Sequence, residues 1–241
     1  MGALHFGPWI GPLARGIGTT LLVTVLGAAG ALIVSVVFGL LARSHGVGWR
    51  FVARVFIEFF RGTSLLVQLF WLYFVLPLPP FQILLDPWAV GVLAFSLNFG
   101  AYGAEVVRGG INAVPKAQWE ATIALNMTPY ERMRRVILPQ AFVRMIPPFT
   151  NLLIQLLKST PLVFVIQLAD ITKVTNSYRA SNGHDLFIFT LSLVVYFVLA
   201  YLLTLAMNAL EHRAKIAIGE REARRKLLTP AFTEPVEGEL I

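Results

Sequence analysis

The sequence predicts an all-α membrane protein with five transmembrane helices, and three observations carry that prediction. Hydrophobic residues make up 56% of the 241-residue chain and charged residues only 14%, with a mean hydropathy of +0.70, where a soluble domain carries about 25% charged residues. The charges are also clustered, leaving uncharged runs at 16–42, 62–85, 87–104 and 186–210, each long enough to cross a ~30 Å hydrocarbon core as a helix. Finally, these runs are continuous rather than alternating, which argues against an outer-membrane β-barrel.

Taken in order, the spans fall at about 14–42, 55–77, 88–107, 140–168 and 185–211. The first is too long for the apolar region of a cleaved signal peptide and reads as a retained helix. Its Gly27, Gly30, Ser35 and Gly39 are small residues suited to close helix packing. The second ends at Leu76-Pro77-Leu78-Pro79-Pro80, which cannot continue a helix. Asp86 then reads as an N-cap, with Pro87 at the first position of the third span. The fourth is interrupted by Lys158, and Pro147, Pro148 and Pro161 each remove a backbone donor within it. Residues 1–211 form the transmembrane domain, with a loop at 109–139, and 212–241 form a polar tail.

Charge placement orients the chain. Arg43, Arg50 and Arg54 follow the first span; Arg108, Lys116, Arg132, Arg134, Arg135 and Arg144 lie around the third loop; Arg213, Lys215, Arg221, Arg224, Arg225 and Lys226 lie in the tail. The opposite side has only Arg15, Lys173 and Arg179. The positive-inside rule therefore places the N-terminus outside and the C-terminus and the 109–139 loop in the cytoplasm. The net charge of +7 is an orientation signal with room for anionic-lipid contact, not a nucleic-acid footprint. The chain has no cysteine, and its four histidines (His5, His45, His184, His212) are scattered without ligand spacing, so no metal site is expected.

The water-facing stretch QWEATIALNMTPYERMRRVILPQ, 118–140, reads as two short helices around a bend. Pro115 suits a first turn, and Lys116 to Leu125 are good helix formers. Asn126 is a candidate left-handed cap. Thr128, Pro129 and Glu131 make a capping box with Pro at the first helical position, and Pro139 resets the chain before the fourth span. Ala117, Ala121 and Ala124 give one face a small-residue surface that a partner could approach.

Glu120-Ala121-Thr122, then Asn126, then Ile137-Leu138-Pro139 resembles the EAA loop of ABC importer permeases, with Asn126 in place of the usual Gly. The segments EFFRGTSLLVQLFWLYF (58–74), SLNFGAYGAEVVRGGINAVPKAQWEA (96–121), RRVILPQA (134–141) and LLKSTPLVFVI (156–166) are similar to the polar amino acid uptake branch, the histidine/glutamine type. The resemblance covers about 16–212. It implies a type I ABC importer permease that forms half of a two-subunit pore in the bacterial inner membrane. It also implies two cytoplasmic ATPase subunits bearing ATP and Mg, an external solute-binding protein, and Glu120, Ala121, Thr122, Asn126, Leu138 and Pro139 as the ATPase-coupling element. The sequence agrees that the motor is elsewhere, since it holds no G-x-x-x-x-G-K-[ST] phosphate loop. No enzymatic activity or cofactor is expected of this chain.

Asn151, Gln155 and Lys158 recur at i, i+4 and i+7, with Ser159 at the edge of the same face. A lysine at a helix centre costs roughly 2.5–3.5 kcal/mol on insertion scales, so this face is expected to line a wet translocation path. Gln68 and Asn98 are secondary candidates for that path. Amides with one cation suit a zwitterion, such as a polar amino acid or an ectoine-like osmolyte. Glu58–Arg61 and Glu105–Arg108 are i, i+3 pairs expected to be structural ion pairs. The alternative reading is an ion-coupled secondary carrier using Glu58, Glu105 and Lys158 as relay groups.

Overall fold

The computed structural model describes residues 7–44, 46–182 and 185–217, and within these it is helical without strands. Four helices are long and apolar enough to cross a membrane, and a bent pair can supply a fifth crossing. The polar tail expected at 212–241 lies largely outside the described residues.

Helix α1 (Gly7–Leu41) and α4 (Pro87–Asn112) form the central seam. They run parallel, because small residues meet in register along both. A Cβ on Gly30 would sit 2.0 Å from the Ser96 hydroxyl, and one on Gly103 would sit 2.0 Å from the Ser35 hydroxyl. The Ser35 hydroxyl donates to the Ala31 carbonyl at 2.5 Å and lies 3.2 Å from that of Gly100. The expected packing role of Gly30 and Ser35 is thus realised against α4. Asp86 caps α4 as anticipated, its carboxylate accepting from Ala89 N at 2.8 Å with Pro87 next in line.

The second expected span is not one straight helix. Helix α2 (Val47–Gly62) ends at Thr63, and α3 (Leu65–Phe70), prolonged by a π-turn over Trp71–Val75, leaves at 101° to it. The bend is held by one side chain just beyond it and one from a distant helix. Gln68 Nε2 donates to the Phe60 carbonyl at 3.1 Å and to the Thr63 hydroxyl at 2.7 Å, while Asn98 Nδ2 donates to the same Phe60 carbonyl at 3.0 Å. These bonds satisfy carbonyls that the broken helix leaves without intrahelical partners.

Helix α5 (Lys116–Ala124) and α6 (Pro129–Glu131) flank the turn at Asn126. From Pro129 the chain then stays helical as far as Ile166, which corrects the expectation that Pro139 separates a second short helix from the fourth span. A π-turn over Arg132–Ile137 precedes α7 (Leu138–Ser159). Pro139 cannot donate to a carbonyl in the preceding turn, and the wider i→i+5 turn absorbs that missing bond without breaking the helix. At the other end α7 tightens into a 3₁₀ segment, Thr160–Ile166. There Pro161 leaves the Leu157 carbonyl without its usual N–H partner, and the Thr160 hydroxyl donates to it at 2.7 Å.

Two further helices complete the fold, α8 (Ile171–Asn182) and α9 (Asp185–Ala217). Helix α8 was not anticipated. Its cap is Asp170, fully buried, which accepts from Lys173 N at 2.8 Å and from the Tyr196 hydroxyl of α9 at 3.2 Å. Burial raises the Asp170 carboxyl above its ordinary range, partly offset by hydrogen bonds from Lys173, Thr172 and Tyr196.

Candidate coupling turn and polar face

Two features carry chemistry: a turn at the head of the continuous helix Pro129–Ile166, and a polar face in that helix's second half. The first is the turn between α5 and α6. Asn126 adopts φ 52°, the left-handed conformation expected of it. The Met127 N–H bonds to the Thr122 carbonyl at 3.1 Å and closes the end of α5. On the other side Thr128 and Glu131 form the capping box, the Glu131 N–H donating to the Thr128 hydroxyl at 3.3 Å and the Thr128 N–H to the Glu131 carboxylate at 3.2 Å.

Trp119, Met133 and Val136 seat this turn on the body by packing against a buried cluster of Val107, Ile111, Val114, Ile137, Ala141 and Met145. Thr122 is buried, and its hydroxyl donates to the Trp119 carbonyl at 2.7 Å. Glu120, Ala121, Asn126, Leu138 and Pro139 are exposed. The outer surface is unusually apolar for a water-facing turn: Leu125 is 74% exposed, Tyr130 68% and Ile123 55%. Trp119 and Ile123, one helical turn apart, therefore point in different directions, one into the body and one away from it. A rigidly seated turn that displays large apolar side chains is suited to being gripped.

The second feature is the polar face of α7. Val143, Met145, Ile146, Thr150, Leu156 and Leu157 are buried on one side. Asn151, Gln155 and Lys158 are exposed together on the other, with Ser159 half-buried and its hydroxyl donating to the Gln155 carbonyl at 2.9 Å. No carboxylate lies within ion-pair distance of Lys158 among the described residues. The helical spacing thus holds the predicted group on one open face, supplying amide donors and acceptors and one cation.

The remaining predicted residues are placed differently. Gln68 and Asn98 are 7% and 5% exposed and spend their amide donors on the bend at Phe60. Glu105 and Arg108 form the expected ion pair, with Arg108 Nε 3.1 Å from the carboxylate. Glu58 and Arg61 do not pair. Arg61 stands at the broken end of α2, where its guanidinium turns over the Tyr102 ring at 5.4 Å and its carbonyl accepts from the Tyr102 hydroxyl at 3.3 Å. Sequence reasoning missed Tyr102 in this role, and missed Asp170 at the joint of α8 and α9. The Asp-x-x-Lys spacing before a helix was the available signal for the latter.

Comparison with known proteins identifies the family and the fold. Residues 31–216 match the model of the family described as "Binding-protein-dependent transport system inner membrane component". The chain is 42% identical to the probable amino-acid ABC transporter permease protein y4tF of Sinorhizobium fredii, over 84% of this chain and 87% of that one. It is 38% identical to the glutamine transport system permease protein GlnP of Escherichia coli K12, over 87% of this chain and 95% of that one. Its fold superposes on the solved structure titled "Crystal structure of an amino acid ABC transporter with histidines" with a TM-score of 0.82 at 30% identity, covering 88% of this chain and 99% of that one. By sequence family and by fold, then, this chain belongs to the inner membrane components of binding-protein-dependent transport systems.

Proposed function

We propose that this chain is one half of the translocation pore of an ATP-driven importer for polar amino acids or amino-acid-like solutes. The single observation that carries the coupling role is the turn around Asn126, seated on the body through Trp119 and displaying Ile123, Leu125 and Tyr130 to a partner. ATP and Mg are held by two cytoplasmic ATPase subunits that grip this turn. Because the helix that leaves the turn at Pro129 carries Asn151, Gln155 and Lys158 in its second half, a push on the turn is delivered along α7 to the solute path. A second permease subunit covers the exposed polar face of α7, and an external binding protein delivers the solute. The N-terminus lies outside and the C-terminus in the cytoplasm.

The names of the relatives support the solute class: they include glutamine, L-cystine and arginine transport permeases. Two permeases of one organism, y4tF and y4tG, both resemble this chain, which supports a pore built from paired permeases. The test is Glu120→Lys, which reverses a charge on the exposed side of α5. Membrane insertion is expected to persist while ATP-dependent uptake in reconstituted vesicles is lost. Normal uptake by this variant with the ATPase attached would remove the coupling assignment.

A further inference from the structure

We infer that α2 is not a membrane-crossing helix but lies along the cytoplasmic leaflet, where Arg50 and Arg54 hold anionic phospholipid headgroups. Placing that leaflet on the cytoplasmic side rests on the orientation proposed above; the in-plane geometry does not.

The geometry comes from the bend. The chain turns by 101° between α2 and the α3 segment. Leu65, Leu69, Leu72 and Tyr73 of the latter pack into the same cluster as Val90, Ala94, Phe95 and Phe99 of α4, so α3 follows a helix that crosses the membrane. A helix at right angles to that direction lies in the membrane plane. Its depth can be read from α4. The Glu105–Arg108 pair marks where α4 meets water, and Tyr102 and Asn98, which bond the end of α2 at Arg61 and Phe60, lie six and ten residues, or ~9 and ~15 Å, before Arg108. Interfacial helices bury their apolar faces ~5–10 Å into the headgroup and acyl boundary, so the C-terminal end of α2 lies at the deep edge of that zone. Starting from that depth, Leu65–Val75 rises ~16 Å and carries the chain most of the way across a ~30 Å core. A segment otherwise too short to span can then make the crossing.

The faces of α2 fit this position. At the helical repeat, Arg50, Arg54 and Arg61 fall within ~40° of arc, with Glu58 beside them. Val52, Val55 and Phe59, all exposed, lie ~120–180° from the centre of that stripe, and the exposed Phe51 lies on its flank. Ala53 and Ile57 are buried against the rest of the protein. Arg61 is occupied by Tyr102, whereas Arg50 and Arg54 have no ion-pair partner among the described residues. A cationic stripe above an aliphatic and aromatic face is the pattern of a helix lying on an anionic surface.

The chain contains no cysteine, so single nitroxide labels can be placed cleanly in the assembled transporter, its partners' thiols replaced, in nanodiscs of phosphatidylcholine with phosphatidylglycerol. Labels at Val52→Cys, Val55→Cys and Phe59→Cys, which share the apolar face, are expected to report depths within ~5 Å of one another without a trend, and ready collision with oxygen. A depth that changes steadily by ~10 Å from the first to the third would overturn the inference, and so would exclusion of oxygen from all three, which would mean that a protein partner covers the face. With spin-labelled lipids, the Arg50→Gln/Arg54→Gln variant is expected to lose preference for phosphatidylglycerol on the order of 5-fold per arginine; an unchanged preference overturns the headgroup role. Labelling of an Arg54→Cys variant by an impermeant thiol reagent added outside intact cells would overturn the cytoplasmic placement, a result separable from the depth pattern.

Discussion

The chain reverses or deflects at two sharp bends that are built in opposite ways. At Asn126 everything needed lies within a few residues: a left-handed Asn, a backbone bond from Met127 to Thr122, and a capping box from Thr128 to Glu131. At Thr63 the backbone is held by Gln68 and by Asn98 on another helix, both converging on the carbonyl of Phe60. The first bend is closed by bonds among its own few residues. The second draws one of its two side-chain donors from α4 beside it. Under the coupling role proposed above, a turn grasped by a separate partner gains from local rigidity. A bend inside the bundle is free to depend on its neighbours, and so moves when they move.

The largest effect expected from disturbing this contrast is Asn126→Pro. Proline is locked near φ −65° and cannot take the 52° found here, so ATP-dependent uptake should be abolished while membrane insertion is retained, as measured by transport in reconstituted vesicles. Next comes Gln68→Leu combined with Asn98→Leu, which strips the Phe60 carbonyl of both side-chain donors. Each lost buried bond should cost about 1–3 kcal/mol, seen as a lower unfolding midpoint in detergent, and the two losses should be non-additive because they share one acceptor. Independent costs would mean that the two amides do not act on one bend. Thr128→Ala should cost about 1 kcal/mol through loss of the cap, appearing as faster amide exchange at 130–137 with α4 unaffected. The smallest effect belongs to Asn126→Gly, which relieves the strain of a left-handed side chain; uptake should stay near the parental rate, and a large loss would give the Asn126 side chain a role beyond its backbone conformation.

The same contrast explains which parts of the molecule were legible in its sequence. Asn126, the Thr128–Glu131 box and the Asp86–Pro87 start of α4 were readable because their causes are local. Asn151, Gln155 and Lys158 were readable because one helical repeat decides whether residues share a face. The bend at Thr63 was not, since no local signal says that Gln68 and Asn98 will turn back to Phe60 instead of facing a solute path. Arg61 shows the same limit. Its spacing from Glu58 suits a pair, but at a broken helix end the ring of Tyr102, 41 residues away, was the nearer partner. Helix α8 escaped notice because its polar sequence falls below any apolar threshold, and its start depends on a carboxylate buried by α9. Pro139 misled in the opposite direction, as a strong local breaker overruled by the π-turn ahead of it.

That π-turn has a consequence for timing around the helix axis. A residue added to one turn advances everything beyond it by ~100° relative to an uninterrupted helix. The Arg132–Ile137 turn stands between the exposed surface at Ile123, Leu125 and Tyr130 and the polar face at Asn151, Gln155 and Lys158. It therefore sets the phase between them, much as a spline sets the angle between two wheels on one shaft. Were the turn to relax to ordinary α geometry, the amides and the lysine would swing by that angle without any change at the Asn126 turn. The angular setting of Asn151, Gln155 and Lys158 is thus written several turns away from them, in a stretch rich in arginine.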